Sequence, residues 1–385
     1  MPNIRDSTNG FSLFYVSEHA KDFKASHQIE NIPMRALQLL LLFIPASLLA
    51  HWAGTNEIFV FASSALAIIP LAKLLGEATE VLAEKTGPRI GGLLNATFGN
   101  AAELIITLAA IRAGQIQLVL ASLTGSILGN LLLVLGFSMF MGGLKNGRQI
   151  FDRRQVDTDA TMTILALIAM TVPSLFSLYI PDGQLVEELS LTTAAAMLIL
   201  YMLFVVYTLQ SCTKEKCNAV TVREALPSHA WSAGRATAFM GLSMIGIALM
   251  SELLVASVEA VTDTLGLTPF FVGIIIVPII GNVAEHLVSV QAAMQDKMDL
   301  SLSIALGSSL QIALFVTPVL VFVSLLLNSP LTLQFNQLEL IALTAASMIS
   351  ALVSLDGESN WLEGAMLLAV YGILSLAFFF LPLKL

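Results

Sequence analysis

Long apolar stretches alternate with short polar segments along most of the chain. Between residues 33 and 382, stretches of about 20 mainly apolar residues occur eleven times. A helix of about 20 residues spans the ~30 Å hydrocarbon core of a bilayer, so each stretch predicts one transmembrane helix. The pattern therefore predicts an all-α polytopic membrane protein with about 11 transmembrane helices. The predicted spans are 33–53, 57–83, 91–111, 115–143, 158–180, 185–210, 235–260, 268–294, 299–327, 335–355 and 361–382.

Basic residues lie mainly in every second polar segment. Lys and Arg prefer the cytoplasmic side of short loops. If the N-terminus is cytoplasmic, 15 of the 18 Lys and Arg residues lie in inner segments, Lys73 lies inside a span, and Arg112 and Lys384 lie outside. This asymmetry predicts a cytoplasmic N-terminus and supports the count of eleven spans.

One short motif occurs twice. Gly-Asn-Ala-Ala-Glu-Leu-Ile begins at Gly99, and Gly-Asn-Val-Ala-Glu-His-Leu begins at Gly281, 182 residues later. A Gly-Ser pair follows each motif by 26 residues, at Gly125 and at Gly307. Because the motifs lie in the third and eighth spans, five spans apart, they are predicted to cross the membrane in opposite directions. Inverted repeats of this kind are typical of secondary transporters.

The repeat divides the chain into five parts. A cytosolic N-terminal tail, 1–32, precedes a peripheral first transmembrane helix, 33–56. The first five-helix repeat is 57–210, a cytosolic inter-repeat loop is 211–234, and the second five-helix repeat is 235–385. The predicted fold is therefore a peripheral first helix plus two inverted five-helix repeats.

Each motif places a carboxylate inside an apolar span. A charged side chain at the bilayer centre costs at least ~2.5 to 3.5 kcal/mol unless a partner compensates it. Glu103 and Glu285 have no Lys or Arg near them within their spans, which disfavours a structural ion pair and leaves a neutral, hydrogen-bonded acid as the alternative to cation binding. Residues that are poor in a helix interior occur in both segments, Gly99 and Asn100 in the first and Pro278, Gly281 and Asn282 in the second. Both segments therefore predict broken helices with free carbonyl oxygens. Such oxygens, with carboxylates, are the ligands that a hard divalent cation such as calcium prefers.

Neutral polar side chains near the motifs can complete this oxygen shell. Asn100 and Asn282 are predicted ligands, with capping of the broken helices as the alternative. Ser126, Ser308 and Gln311 are predicted to be ligands or to line the ion path. The alternative is that the Gly and Ser residues of these spans only allow helices to pack closely.

Further ionisable residues lie on the same or neighbouring spans. His286 is either a proton-linked group, since histidine titrates near neutrality, or a packed neutral side chain. Spacings of three, four and seven residues also place glutamates along one face of the second and seventh spans. Such a face predicts an ion or proton path, or else a wetted helix end. These residues are Glu77, Glu80, Glu252 and Glu259, whereas Glu84 beside Lys85 is expected to be a wetted helix end.

Composition excludes several other classes. Hydrophobic residues make up 56% of the chain and charged residues 12%, and the net charge of −9 predicts no nucleic-acid partner. Cys212 and Cys217 have a spacing that is a weak metal signal, so reduced thiols are expected. No His-Glu-x-x-His or Gly-x-Ser-x-Gly motif occurs, so no enzyme activity is expected. No cofactor is expected beside the transported ions.

With its paired motifs, the sequence resembles the calcium/proton antiporters of the cation/calcium exchanger superfamily. The resemblance covers about residues 33–382. The similar segments are Leu-Leu-Asn-Ala-Thr-Phe before Gly99, Gly-Asn-Val-Ala-Glu-His from Gly281, Asp-Lys-Met-Asp-Leu from Asp296, Gly-Ser-Ser-Leu-Gln from Gly307 and Leu-Phe-Val-Thr-Pro from Leu314. The resemblance implies the family fold, with a peripheral first helix beside inverted five-helix repeats.

The resemblance also implies a central site in which Glu103 and Glu285 take calcium or protons in turn. It implies that Asn100, Asn282, Ser308 and Gln311 line this site and that Glu80 lies on the ion path. One departure concerns residues 211–234, which lack the acidic helix typical of eukaryotic members, so calcium regulation there is not expected.

The sequence thus predicts a secondary transporter that exchanges calcium for protons by alternating access, with both ions competing for the glutamates. A sodium-coupled calcium exchanger of the same fold and a passive cation channel are the alternatives. Glu285-His286 and Gln311 favour the proton-coupled branch, since an aspartate in the ninth span would indicate the sodium branch. Calcium and protons are the expected substrates and the bilayer is the expected surrounding, with homo-oligomerisation left open. A prokaryotic plasma membrane is favoured over a vacuolar membrane.

Overall fold

The computed structural model describes residues 39–179, 182–214 and 231–381. The predicted N-terminal tail, most of the predicted inter-repeat loop, and the thiols of Cys212 and Cys217 lie outside the described residues. Two short strands, β1 (Gln149–Ile150) and β2 (Glu358–Ser359), pair antiparallel. The helices are α1 (Leu40–Trp52), α2 (Glu57–Thr86), α3 (Pro88–Phe98), α4 (Ala101–Arg112), α5 (Ile116–Asn146), α6 (Arg153–Ser177), α7 (Gly183–Lys214), α8 (Ala233–Ala256), α9 (Val258–Leu265), α10 (Pro269–Met294), α11 (Met298–Leu326), α12 (Gln337–Val353) and α13 (Trp361–Phe380).

The helices follow the predicted spans. Within the described ranges, eight helices are long and apolar enough to cross a membrane, namely α2, α5, α6, α7, α8, α10, α11 and α13. Helices α1 and α12 are apolar but shorter, and α3 and α4 together occupy the third predicted span. The predicted all-α membrane fold is confirmed, and the number of crossings stays a prediction.

Helices that carry the two motifs lie at the centre of the molecule. Helix α5 is buried along nearly its whole length, whereas α7 and α13 expose most of their apolar residues. Helix α10 packs against α5 and α11, and α2 packs along α8. Helices of the two halves therefore pack against each other across the centre, where the side chains of both motifs meet.

The two motifs differ in backbone structure. In the first motif, α3 ends at Phe98 and α4 begins at Ala101, so Gly99 and Asn100 form the predicted break. In the second motif, α10 runs without interruption through Gly281 and Asn282. The predicted break is therefore wrong at Gly281 and Asn282, whereas an irregular turn does lie just before Pro278.

The irregular turn of α10 lies earlier, at a π-helical turn over Val272–Ile276. Proline has no backbone N–H, so Pro278 cannot bond the carbonyl of Ile274, four residues before it. The Asn282 side chain donates from Nδ2 to the Pro278 carbonyl at 3.1 Å and so supports the helix just after the proline. The proline therefore moves the irregularity from the motif to the preceding turn.

Two further π-helical turns relate the halves. One lies in α5 over Gly129–Val134 and the other in α11 over Ile312–Val316. The motif spacing of 182 residues relates Asn130 to Ile312, so the turns occupy equivalent places in the two halves. Single π-helical turns are frequent at functional sites.

An extended segment leads from α11 into α12 at one end of the molecule. Its apolar side chains at Leu331, Leu333 and Phe335 are buried. The backbone N–H groups of the same residues donate to serine hydroxyls, Leu331 to Ser324 at 2.8 Å, Leu333 to Ser190 at 3.1 Å and Phe335 to Ser174 at 2.9 Å. The segment is thereby held against α6, α7 and α11, and it fixes where α12 begins.

Candidate ion-binding site

Asn100 connects the first motif to the second half of the molecule. It occupies the N-cap position of α4, but its side chain makes no capping hydrogen bond. Its Nδ2 donates to Gln311 Oε1 at 2.5 Å, and its Oδ1 accepts from Ser308 Oγ at 3.1 Å. The geometry therefore contradicts the capping alternative for Asn100 and places it against α11.

Asn282 makes the corresponding connection in the opposite direction. Its Nδ2 donates to Ser126 Oγ of α5 at 3.1 Å. Each motif asparagine thus binds the motif serine of the other half, as expected for two copies related by a pseudo-twofold axis. Among the described residues, Asn282 Oδ1 has no hydrogen-bond partner although it is buried.

Glu103 and Glu285 lie close enough to interact electrostatically. Glu103 is 6% exposed and contacts Gly281, since a Cβ built on this glycine would lie 3.5 Å from Glu103 Oε1. Glu285 lies beside the Ser308 hydroxyl, and its buried Oε2 accepts no hydrogen bond from any described residue. The carboxylate of one half therefore lies against the motif helix of the other half.

Neither glutamate forms an ion pair with Lys or Arg in the part of the chain that the structure describes. Two carboxylates in an apolar centre without a basic partner need a cation or protons to compensate them. The nearby donors are all oxygens, from Ser126, Ser308 and Asn282, which is the donor set of a hard cation. No group of three or more acidic, His or Cys side chains suited to a metal occurs among the described residues. The arrangement therefore suits a cation that is held by two carboxylates and neutral oxygens.

Asn130 also contacts the candidate site, although it was not one of the predicted ligands. It is 1% exposed, and its Nδ2 donates to Ser308 Oγ at 3.0 Å. Ser308 thus accepts from Asn130 and donates to Asn100. The sequence signal was a third Gly-Asn pair, at Gly129, in an otherwise apolar part of α5.

The predicted ion-path residues lie in several environments. On α2, Glu80 is half-buried next to Glu77 and Glu84, and Glu77 lies 3.9 Å from Lys73. His286 follows Glu285 on α10, and its buried Nε2 has no hydrogen-bond partner among the described residues. At the other end, Glu252 binds Arg112 at 3.0 Å, and Glu259 is exposed in the first turn of α9. Their predicted roles on a path stay predictions.

Helical repeats around a buried, oxygen-lined centre define an integral membrane protein with the architecture of an ion transporter. The sequence matches the family described as sodium/calcium exchanger protein over residues 56–210 and 235–380. The chain belongs to this family.

Two relatives carry more specific names. A Ca(2+)/H(+) antiporter from Aphanothece halophytica is 43% identical over 358 residues, which cover 89% of this chain and 96% of the relative. The Ca(2+)/H(+) antiporter ChaA of Bacillus subtilis is 43% identical over 337 residues, covering 86% and 94%. The predicted membership of the calcium/proton antiporters is confirmed.

A solved structure shows the same fold. The crystal structure of the Ca2+/H+ antiporter protein YfkE matches with a TM-score of 0.79 and 38% sequence identity. The match covers 90% of this chain and 100% of that one. The membrane-exchanger architecture therefore applies to nearly the whole chain.

Proposed function

We propose that the protein exchanges calcium for protons across a membrane by alternating access, using Glu103 and Glu285 as the shared binding groups. The observation that carries the proposal is the pair of neighbouring glutamates without a basic partner, flanked by the unpartnered oxygens Asn282 Oδ1 and Glu285 Oε2. The names of relatives that are 43% identical support calcium and protons as the ions.

Competition for the same oxygens would couple the two ions. Ionised carboxylates attract a divalent cation, whereas protonated carboxyls are neutral and bind it poorly. A bare pair of carboxylates in a low-dielectric centre is heavily penalised, so the site changes sides when it carries calcium or protons. Each half-cycle then moves one kind of ion, calcium or protons, and leak of either ion alone is suppressed.

The membrane orientation completes the proposal. Inner segments carry 15 of the 18 Lys and Arg residues when the N-terminus is cytoplasmic. In that orientation α4 runs outward and α10 runs inward, so the motifs enter the centre from opposite faces. We place the protein in a prokaryotic plasma membrane, where the proton gradient would drive calcium out of the cell.

Everted membrane vesicles test this function directly. An imposed proton gradient, acid inside, should drive uptake of radioactive calcium without sodium, and a protonophore should abolish it. Uptake that needs sodium and ignores the proton gradient would support the sodium-coupled alternative. Uptake down the calcium gradient with no coupling ion would support a channel.

Matched variants connect this activity to the site. Glu103→Gln and Glu285→Gln keep the size of the side chain but remove its charge, so each should abolish exchange while the protein still folds. Glu84→Gln is the control, because Glu84 is an exposed glutamate on α2. Wild-type exchange in either central variant would contradict the proposed site.

A further inference from the structure

A third carboxyl group is buried behind the proposed site. Glu339, in the first turn of α12, is 3% exposed. Its Oε2 accepts the backbone N–H of Asn336 at 2.7 Å in a capping box. Its Oε1 is buried and has no hydrogen bond of regular geometry within the described residues. The polar side chain that faces this carboxyl group is Thr124 of α5, whose hydroxyl is itself buried without a regular partner.

Through Thr124, Glu339 lies near the same position along the axis of α5 as the proposed site. Thr124 precedes Ser126 by two residues, which corresponds to about 3 Å along the helix axis. Two residues also rotate by about 200° around a helix, so the two side chains point to opposite faces of α5. Ser126 faces Asn282 and the centre, and Thr124 faces Glu339 on the other side. Helix α5 thus lies between the proposed ion site and this carboxyl group.

The equivalent residue of the first half has a different environment. The motif spacing of 182 residues relates Glu339 to Asp157 near the start of α6. Asp157 is exposed and forms an ion pair with Arg153 at 3.5 Å. Asp159, two residues further along α6, is 8% exposed, so each half buries one carboxyl group near the start of the equivalent helix, α6 or α12.

No charged side chain explains why a carboxyl group is buried at this position. The helices packed against α12 are α5, α6 and α13. Phe335, just before α12, bonds to Ser174 near the end of α6, so Glu339 lies at that end. The charged groups of α6 lie near its start, Lys145 lies at the far end of α5, and Glu363 lies in the first turn of α13. The described ionisable groups on these helices are Lys145, Arg153, Asp157, Asp159, Glu363 and Tyr371.

We propose that Glu339 is a further proton-binding group of the transporter, which takes up and releases a proton during the cycle and acts on the ion site through Thr124. When protonated, its O–H donates to Thr124 Oγ. When the carboxyl group has released its proton to solvent, Oε1 accepts a hydrogen bond from the Thr124 hydroxyl, which keeps its own proton. The change reverses the direction of one hydrogen bond on α5, two residues from Ser126. This inference rests on the proposed calcium/proton exchange.

The first test separates proton binding from helix capping. Glu339→Gln keeps the capping box, because Gln also serves at this position, but it cannot release a proton. The matched control is Glu363→Gln, since Glu363 forms the equivalent capping box with Asn360 in α13. We expect the ratio of initial exchange rates at about pH 8 and about pH 6.5 to change at least about threefold in Glu339→Gln and to stay at the wild-type value in Glu363→Gln. The wild-type ratio in Glu339→Gln would overturn the proposal.

A second variant tests the proposal if Glu339→Gln does not fold, and a second measurement tests it if the protein does not transport. Thr124→Val removes the hydroxyl at nearly constant volume and should change the rate ratio in the same direction; if Glu339→Gln does not fold, this variant decides. Infrared difference spectra of the purified protein between the two pH values should show a protonated carboxyl band that Glu339→Gln lacks. The spectra need no transport, so they test proton binding even if wild-type exchange fails. Loss of the band without a change in the rate ratio would also overturn the proposal.

Discussion

At the scale of single residues, the two motif asparagines are not equivalent. Both polar atoms of the Asn100 side chain form hydrogen bonds, Nδ2 to Gln311 and Oδ1 from Ser308. Asn282 uses only its Nδ2, and its buried Oδ1 stays without a partner among the described residues. Position 311 has no polar equivalent in the first half, where the motif spacing relates it to Gly129. We infer that Asn282 is a direct ligand and that Gln311 holds Asn100 in place.

This asymmetry predicts unequal effects on calcium affinity. Asn282→Ala removes a ligand oxygen and should raise the apparent KM for calcium about tenfold or more, or about 1.4 kcal/mol of binding free energy. Gln311→Ala leaves Asn100 able to reorient and should raise it less. The calcium dependence of initial uptake rates in vesicles measures both values. A larger increase in Gln311→Ala than in Asn282→Ala would show that the roles are reversed.

Shared carboxylates also predict a defined pH dependence. In the proposed mechanism calcium binds the ionised form of Glu103 and Glu285, so protons on the binding side should compete with it. As pH falls on the calcium-binding side, the apparent KM for calcium should rise while the maximal rate at saturating calcium stays constant. Initial rates over a calcium series at several pH values distinguish this outcome from a fall in maximal rate alone, which would indicate separate sites.

At the scale of helices, the contact between α5 and α10 is tightest at one glycine. A Cβ on Gly125 would overlap the carbonyl oxygen of Ile274 and the ring of Pro278. Gly307, the equivalent residue of the second half, has no atom within 4 Å of such a Cβ. The two halves therefore share a sequence motif but not the same packing at this position.

This difference predicts opposite outcomes for two identical changes. Gly125→Ala should overpack the contact, at a cost of about 1–3 kcal/mol, and should lower both the melting temperature and the rate of exchange. Gly307→Ala should leave the melting temperature nearly unchanged. Thermal unfolding of the purified variants in detergent measures the difference. Equal destabilisation by the two changes would contradict the difference in packing between Gly125 and Gly307.

Sequence patterns predict these helices better than their irregular turns. The length of the apolar stretches predicted where the helices lie, and the Gly-Asn pair at Gly99 correctly predicted the break before Glu103. The same pair gave a wrong break at Gly281, because the effect of Pro278 falls on the preceding turn and Asn282 bonds to the Pro278 carbonyl. The packing of Gly125 and the burial of Glu339 depend on contacts between distant segments, which single-sequence periodicity does not contain.

At the scale of the whole molecule, the central feature is the inversion of the two halves. The structure brings each motif asparagine to the serine of the other half. Sequence spacing and the distribution of basic residues predict this inversion, but the partners of each side chain follow only from the packing. In the predicted orientation, inversion also places the equivalent segments that follow α4 and α10 on opposite faces of the membrane.

Ala113, after α4, and Gln295, after α10, are exposed residues separated by the same 182 positions. They therefore test the predicted orientation. In a background without Cys212 and Cys217, a membrane-impermeant thiol reagent added to intact cells should label Ala113→Cys but not Gln295→Cys. Everted vesicles should give the reverse pattern. Labelling of both positions from one side would contradict the inverted arrangement.

Proton movement driven by calcium is the most direct measurement of the central claim. Purified protein in sodium-free liposomes, loaded with calcium and a pH-sensitive dye, would be diluted into calcium-free buffer. We predict that calcium efflux acidifies the lumen, and that Glu285→Gln abolishes the signal. Calcium efflux without luminal acidification, under conditions where the membrane potential is clamped, would contradict calcium/proton exchange at these glutamates.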